Sequence, residues 1–310
     1  MDTPIRIVGL GVATLDVLVR LRDMPTWDRG AEIQEFGLDG GGMTGTALAA
    51  AARLGAAAGY LGTVGSGLAG ELKLRSLADG GVDTSRVRRR AAPENQVVLV
   101  CIDEAGERVF SGVKGLGGDP LRPDELDRAY LTAADCLLVD GFHFDAAVAA
   151  ARWMREAGKI VLFDGIKTRG RVDPSFRALL AHTSVLVAGS GFAAALTGEK
   201  DIWKAGRAAL ATGPDIVVQT EGADGCYTVT ADDQFHTPVF PVEVVDTTGA
   251  GDVFHGAYAV GLLRGWPLRH VAALASAVAA IKCTRLGGRA GIPTMDEALT
   301  FLRDRGTRIG

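Results

Sequence analysis

The residues best suited to chemistry lie together in the run Asp246-Thr247-Thr248-Gly249-Ala250-Gly251-Asp252, followed by Val253-Phe254-His255-Gly256-Ala257-Tyr258. Val244 and Val245 end a strand and a turn of small residues follows. Val253, Phe254, Ala257, Val260 and Leu263 then fall on one stripe of a helix. With glycine at 249 and 251, the N–H groups of the turn stand uncovered at a helix N-terminus. Unpaired N–H groups and the positive end of the helix dipole attract an anion there. Asp252 puts a carboxylate in the same place. It reads either as a capping acid of the first helical turn, or as a general base beside amides that hold a phosphoryl group in transfer.

Other groups invite a chemical reading. Asp16, just beyond the apolar strand Ile5–Leu10, is either a surface charge or a ligand for hydroxyl groups. Asp39-Gly40-Gly41-Gly42-Met43-Thr44-Gly45-Thr46 precedes an alanine-rich helix, Ala47–Leu54, closed by Gly55. Three successive glycines there suit a close approach of backbone to ligand, or the hinge of a lid. Gly9-x-Gly11 lacks the third glycine of a dinucleotide fingerprint, Thr14 standing in its place, so a nicotinamide-dependent oxidoreductase is set aside. His143 and His255 have no second His or Cys at ligand spacing and read as packing residues.

The elements that must position these groups follow from periodicity. Alternating stretches at Asp16–Leu21 and Arg29–Leu38, with strands Gln96–Ile102 and Arg108–Ser111 around a hairpin loop, predict a small accessory sheet. It forms a lid from about residues 14–39 and 94–116, inserted in a single domain spanning 1–310. Ala57–Val64 is a further strand, before the helix Glu71–Asp79. Strands at Cys136–Asp140, Ile160–Phe163, Val185–Val187, Ile216–Gln219 and Cys226–Val229 are interleaved with helices near 146–157, 175–181 and 203–211. Helices near 252–263, 268–282 and 295–303 complete the chain. That alternation calls for a mostly parallel sheet covered on both faces, with ligand at the strands' carboxyl ends.

Composition narrows the partners. A net charge of −4 argues against nucleic acid, and the longest apolar run, Val271–Ile281, is too short to span a bilayer. Cys101, Cys136, Cys226 and Cys283 are scattered, as reduced buried thiols are, and no signal peptide is visible. A cytoplasmic protein is expected. An exposed edge on the accessory sheet makes a homodimer through the lid the expected assembly.

The glycine turn 246–252 resembles the C-terminal signature of the ribokinase-like (PfkB) carbohydrate kinases, and the likeness extends over nearly the whole chain. The N-terminal signature is matched by Gly41-Gly42, Ala47, Ala52-Arg53-Leu54-Gly55 and Gly62-Thr63-Val64-Gly65. Thr220-Glu221-Gly222-Ala223-Asp224-Gly225 is similar to the family's nucleotide loop, and Cys283 to Pro293 to the loop closing over adenine. The wording Gly287-Gly288-Arg289-Ala290-Gly291-Ile292-Pro293 resembles the branch containing sulfofructose kinase.

The resemblance implies a three-layer α/β/α sandwich with a mostly parallel central sheet and a small β-sheet lid. It also implies transfer of the γ-phosphoryl group of MgATP to a hydroxyl of a small carbohydrate. Asp252 is then the base, with the amides of Gly249, Ala250 and Gly251 as the anion hole. Asp16, Gly41, Gly42 and Thr46 contact sugar; Thr220, Gly222, Asp224, Gly225, Cys283, Gly287 and Arg289 contact the nucleotide. Asp246 and Thr248 fall where many members ligate a monovalent cation such as K⁺, although Gly291 replaces a serine that often contributes. Thr46 stands where the family has Asn, and Gly67 where it has Asp. Gly189-Ser190-Gly191-Phe192 replaces the Asn-x-x-Glu that organises Mg²⁺. Asp164 is the nearest substitute for holding metal-bound water, and Lys167 and Arg289 are candidates for the ATP phosphates. Loss of that acidic motif keeps open a catalytically weak sugar- or nucleotide-binding sensor of the same fold.

Overall fold

The computed structural model describes residues 6–104, 107–116, 118–166, 168 and 170–309. Along its first half lie β1 (Arg6–Leu10), β2 (Thr14–Leu21), β3 (Ile33–Gly41), α1 (Met43–Arg53), β4 (Ala57–Leu61) and β5 (Thr63–Ser66). Next come α2 (Leu68–Asp79), β6 (Val82–Asp83), β7 (Arg88–Pro93), β8 (Val97–Ile102), β9 (Arg108–Gly112) and α3 (Arg128–Thr132). The alternating part holds β10 (Cys136–Val139), α4 (Phe144–Glu156), β11 (Ile160–Gly165), α5 (Phe176–Leu180), β12 (Val185–Gly189), α6 (Phe192–Thr197) and α7 (Ile202–Leu210). It continues through β13 (Ile216–Thr220), β14 (Cys226–Val229) and β15 (Gln234–Thr237) to α8 (Ala250–Leu263), α9 (Leu268–Lys282) and α10 (Met295–Asp304).

Nine strands form the central sheet in the order β15-β14-β13-β12-β11-β10-β1-β4-β6, parallel except where β14 is reversed. Its central strands are mostly apolar because both faces are covered. Ile7, Leu138, Leu162 and Val187 pack under α1, α8 and α9, while their neighbours Val8, Leu137, Val161 and Leu186 pack under α4, α5 and α7. Successive side chains point to opposite faces, so one run of residues serves both helical layers. The sandwich expected from the sequence is what the chain builds.

A second sheet has the order β3-β2-β8-β9, with β2 parallel to β8 and antiparallel to β3. Leu18, Val100 and Ile102 on its inner face enclose a small apolar cluster that includes Leu286 from the loop after α9. Phe36, Leu38, Leu99 and Val109 lie exposed on the opposite face. Residues 105 and 106 of the expected hairpin loop lie outside the described residues.

The strand expected to end at Val244-Val245 does not form, residues 238–249 being irregular, and among the shifted boundaries two bear on the site. The strand read as Ala57–Val64 is broken at Gly62, where a Cβ would stand 2.2 Å from the Tyr60 hydroxyl oxygen. Its second part, β5, leaves the main sheet to pair with β7, which the sequence reading did not anticipate. The first helix begins at Met43 rather than Ala47, because Gly42 adopts φ +80° and turns the chain directly from β3 into α1.

Candidate active site

Strand order reverses around β1, with β4 and β6 on one side and β10 to β13 on the other. The carboxyl ends of β1 and β10 therefore open a crevice, the usual place for a ligand in such sheets. Asp140, directly after β10, fastens its walls. Its Oδ2 accepts from the Val12 N–H at 2.8 Å and the Thr44 hydroxyl at 2.8 Å, and its Oδ1 accepts from the Phe142 N–H at 2.8 Å. Burial raises its pKa despite those bonds. Sequence reading passed over Asp140 as the end of a strand.

Asp16 is 6% exposed, which removes the surface reading. The Thr14 hydroxyl donates to its Oδ1 at 2.6 Å, and burial pushes its pKa up. Gly41 lies so close that a Cβ there would be 2.1 Å from Asp16 Oδ2. Beneath this floor sits Arg289, whose place differs from the one expected for a phosphate ligand. Its guanidinium donates to the Gly41 carbonyl at 2.7 Å, to Ser76 Oγ at 3.0 Å and to Thr46 Oγ1 at 3.4 Å. Its own N–H donates to Asp39 Oδ2 at 3.1 Å. Cβ atoms at Gly40 and Gly45 would stand 2.1 and 2.6 Å from the guanidinium nitrogens. Part of the glycine run thus makes room for an arginine rather than for a ligand. Lys167, the other phosphate candidate, lies outside the described residues.

At the chemical centre, Gly249 takes φ 72° as the residue before α8, a conformation that costs a side-chain residue dearly. Among the described residues, the N–H groups of Gly249 and Gly251 have no acceptor; that of Ala250 closes the turn on the Thr247 carbonyl at 3.2 Å. Asp252 stands in the first turn of α8 but makes no capping bond, Gly249 being the N-cap. Its pKa is raised to about 7, first by burial and then by Asp164, with His255 pulling the other way.

His255 lies deeper on the same helix and is buried. Its Nδ1 is 2.6 Å from the Gly251 carbonyl oxygen; its Nε2 is 3.2 Å from the Val187 carbonyl oxygen and 3.3 Å from Asp164 Oδ1. Burial lowers the His255 pKa and raises that of Asp164 well above its ordinary value. His255 thus closes a buried set of contacts with one carboxyl group and two main-chain carbonyls. Asp164 is therefore engaged with His255, not turned out to hold metal water as the sequence suggested.

On the nucleotide side, β13 ends at Thr220 and a short 3-10 turn spans Gly222–Asp224. The Glu221 N–H closes this loop on the Gly225 carbonyl at 2.8 Å. The Ser190 hydroxyl donates to Glu221 Oε2 at 2.6 Å, so a carboxylate reaches the segment that follows β12. Sequence reading missed this contact because Glu221 and Ser190 are separated by 31 residues. Among the described residues, no group of three or more His, Cys, Asp or Glu could hold a metal ion.

Asp246 joins the turn to the last loop. Its Oδ1 accepts from the Thr248 N–H at 2.8 Å and hydroxyl at 2.7 Å, its Oδ2 from the Gly287 N–H at 2.9 Å. Burial opposes ionisation, but these bonds and the nearby Lys282 hold its pKa below the usual value. The buried Cys283 contributes its carbonyl, which accepts from the N–H groups of Val245 at 2.8 Å and Asp246 at 3.1 Å.

A carboxylate at a glycine-lined helix start, on this sheet, is matched over residues 12–295 by the model of the pfkB family carbohydrate kinases. The chain belongs to the pfkB family. This carbohydrate kinase is 31% identical to an ATP-dependent ribose-1-phosphate kinase of Halopiger xanaduensis, across 97% of this chain and 99% of that one. It is 33% identical to an aminoimidazole riboside kinase of Salmonella typhimurium, across 84% and 87%. In fold it matches ribokinase from Thermotoga maritima with a TM-score of 0.83 at 24% identity, covering 96% of this chain and 99% of that one. Arabidopsis thaliana ribokinase, solved with ribose and ATP, superposes with a TM-score of 0.84 at 22% identity, covering 97% and 99%. Among the described residues of this pfkB member, no helix is long and apolar enough to cross a membrane.

Proposed function

We propose that the protein transfers the γ-phosphoryl group of MgATP to a hydroxyl of a small carbohydrate, with Asp252 as general base. The observation that carries this reading is the Asp252 carboxylate in the first turn of α8, beside the unpaired amides of Gly249 and Gly251; burial there also raises its pKa to about 7. A base poised near the working pH combines availability with strength.

Asp16 grips the acceptor through its hydroxyls, on the floor of Gly41, Gly42 and Thr46. The acceptor oxygen loses its proton to Asp252 and bonds to the γ-phosphorus as the bond to the ADP oxygen breaks. The amides of Gly249 and Gly251 receive the charge that builds on the phosphoryl oxygens, where one well-placed donor is worth on the order of 10²-fold or more. The nucleotide lies along Thr220–Gly225 and the Cys283–Arg289 loop.

Bound Mg²⁺ neutralises phosphate charge, and such sites use water and phosphate oxygens with only one or two carboxylates. Glu221 fits that need, since Ser190 fixes one of its oxygens and the side chain is half-buried at the crevice. The acceptors named for the two relatives above are ribose derivatives, which supports a pentose-sized acceptor here. The second sheet serves as a lid, and its exposed face of Phe36, Leu38, Leu99 and Val109 supports a homodimer.

The test is an ADP-coupled assay across sugars, sugar phosphates and ribosides, run on the parent and on Asp252→Asn. Turnover on one acceptor class that vanishes in the variant supports the reading. Equal slow ATP hydrolysis in both proteins, with no phosphorylated product, leaves a sensor instead.

A further inference from the structure

Asp246, expected with Thr248 to ligate a monovalent cation, has little room left for one. A carboxylate offers about four acceptor positions, and Asp246 has three filled by Thr248 N–H, Thr248 Oγ1–H and Gly287 N–H. Its main-chain carbonyl accepts from Lys282 Nζ at 2.8 Å.

Lys282 closes α9 and is 0% exposed. An ammonium is almost never fully buried without a specific charge or dipole to answer. The loop after α9 packs tightly on the main chain at this point: a Cβ at Gly291 would lie 2.5 Å from the Lys282 carbonyl oxygen and 3.0 Å from its Cα.

We propose that the Lys282 ammonium is a built-in replacement for the monovalent cation at the foot of the anion-binding turn, so that this kinase works without K⁺. It delivers one fixed positive charge to the Asp246 carbonyl, three residues before Gly249, and holds the irregular segment that feeds the turn. The proposal rests on the kinase reading of that turn.

Two measurements test it, one of them free of catalysis. Thermal melting of the parent is expected to be the same in choline, Na⁺ and K⁺ buffers, and its turnover rate equally indifferent. Lys282→Met keeps the buried stem without the charge, and is expected to lose about tenfold or more in rate, as when a preorganised charge beside a developing anion is removed. Lys282→Ala opens the ammonium's place, and is expected to gain melting temperature and rate from K⁺. A parent whose melting or rate rises with K⁺ overturns the proposal, as does a folded Lys282→Met with parental turnover. Should no sugar be phosphorylated at all, the kinase reading fails while the melting series still reports on the cation.

Discussion

The guanidinium of Arg289 donates to the carbonyl of Gly41 at 2.7 Å, joining positions 248 residues apart. One side chain from the last loop thereby supports the floor on which Asp16 rests. Truncation to Arg289→Met leaves a buried carbonyl unpaired, a loss of roughly 1–3 kcal/mol. The expected result is an acceptor KM raised by about 5- to 150-fold, with the KM for ATP changed far less. Steady-state kinetics with each substrate varied in turn would measure both, and equal effects on the two would refute the assignment.

Asp252 works only after losing its proton, so kcat/KM should climb with pH through about 7 and level off above it. Asp164 is the strongest neighbouring charge raising that value. Asp164→Asn should move the acid limb to lower pH, its amide remaining as a hydrogen-bonding partner for His255. A limb that stays put would remove Asp164 from the coupling.

Stability carries the opposite sign. The folded-state pKa of Asp252 lies above its ordinary 3.8, so the fold holds that proton more tightly than the unfolded chain does. Stability is therefore lost as pH rises from the ordinary value through about 7. Asp252→Asn should melt higher than the parent at pH above this window, although its turnover falls by about 10²- to 10⁴-fold. A variant that melts lower at alkaline pH would contradict the burial argument.

Glu221→Gln keeps the acceptor for Ser190 but removes the charge. The Mg²⁺ concentration for half-maximal rate should rise by about tenfold or more, on the scale seen when a group supporting a metal is lost. Titration of Mg²⁺ at fixed ATP would show it, and an unchanged midpoint would place the metal elsewhere.

Phe36 and Leu38 face outward on β3 at 62% and 51% exposure. A charge introduced by Phe36→Glu should turn a dimer into a monomer on light scattering after size exclusion. A parent that is already monomeric would sink the lid interface.

The chemical centre was legible in the sequence because its parts are local: Gly249, Gly251 and Asp252 sit within four positions, and the helix after them follows its periodicity, although the strand read at Val244-Val245 is absent. Arg289 was not, since its partners Gly41, Thr46 and Ser76 are more than 200 residues away and its slot is made by glycines that read equally as ligand-facing. Glu221 escaped for the same reason, hidden in a loop recognised for its glycines. His255 was dismissed for want of a metal-ligand pattern, when its buried partners are a carboxyl group and two main-chain carbonyls. Among the elements, β15 was missed because Gln234–Thr237 is short and half polar, and α6 because six residues between two left-handed glycines give periodicity little to work with.

Leu286 sits among Leu18, Val100 and Ile102, so the roof over the sugar rests on the loop that would cradle adenine. Parting the second sheet from that loop means wetting four greasy side chains, so the two move as one. On the proposed function, a nucleotide that steadied the loop would also hold the sheet over the acceptor, tying the two substrates to a single oily latch.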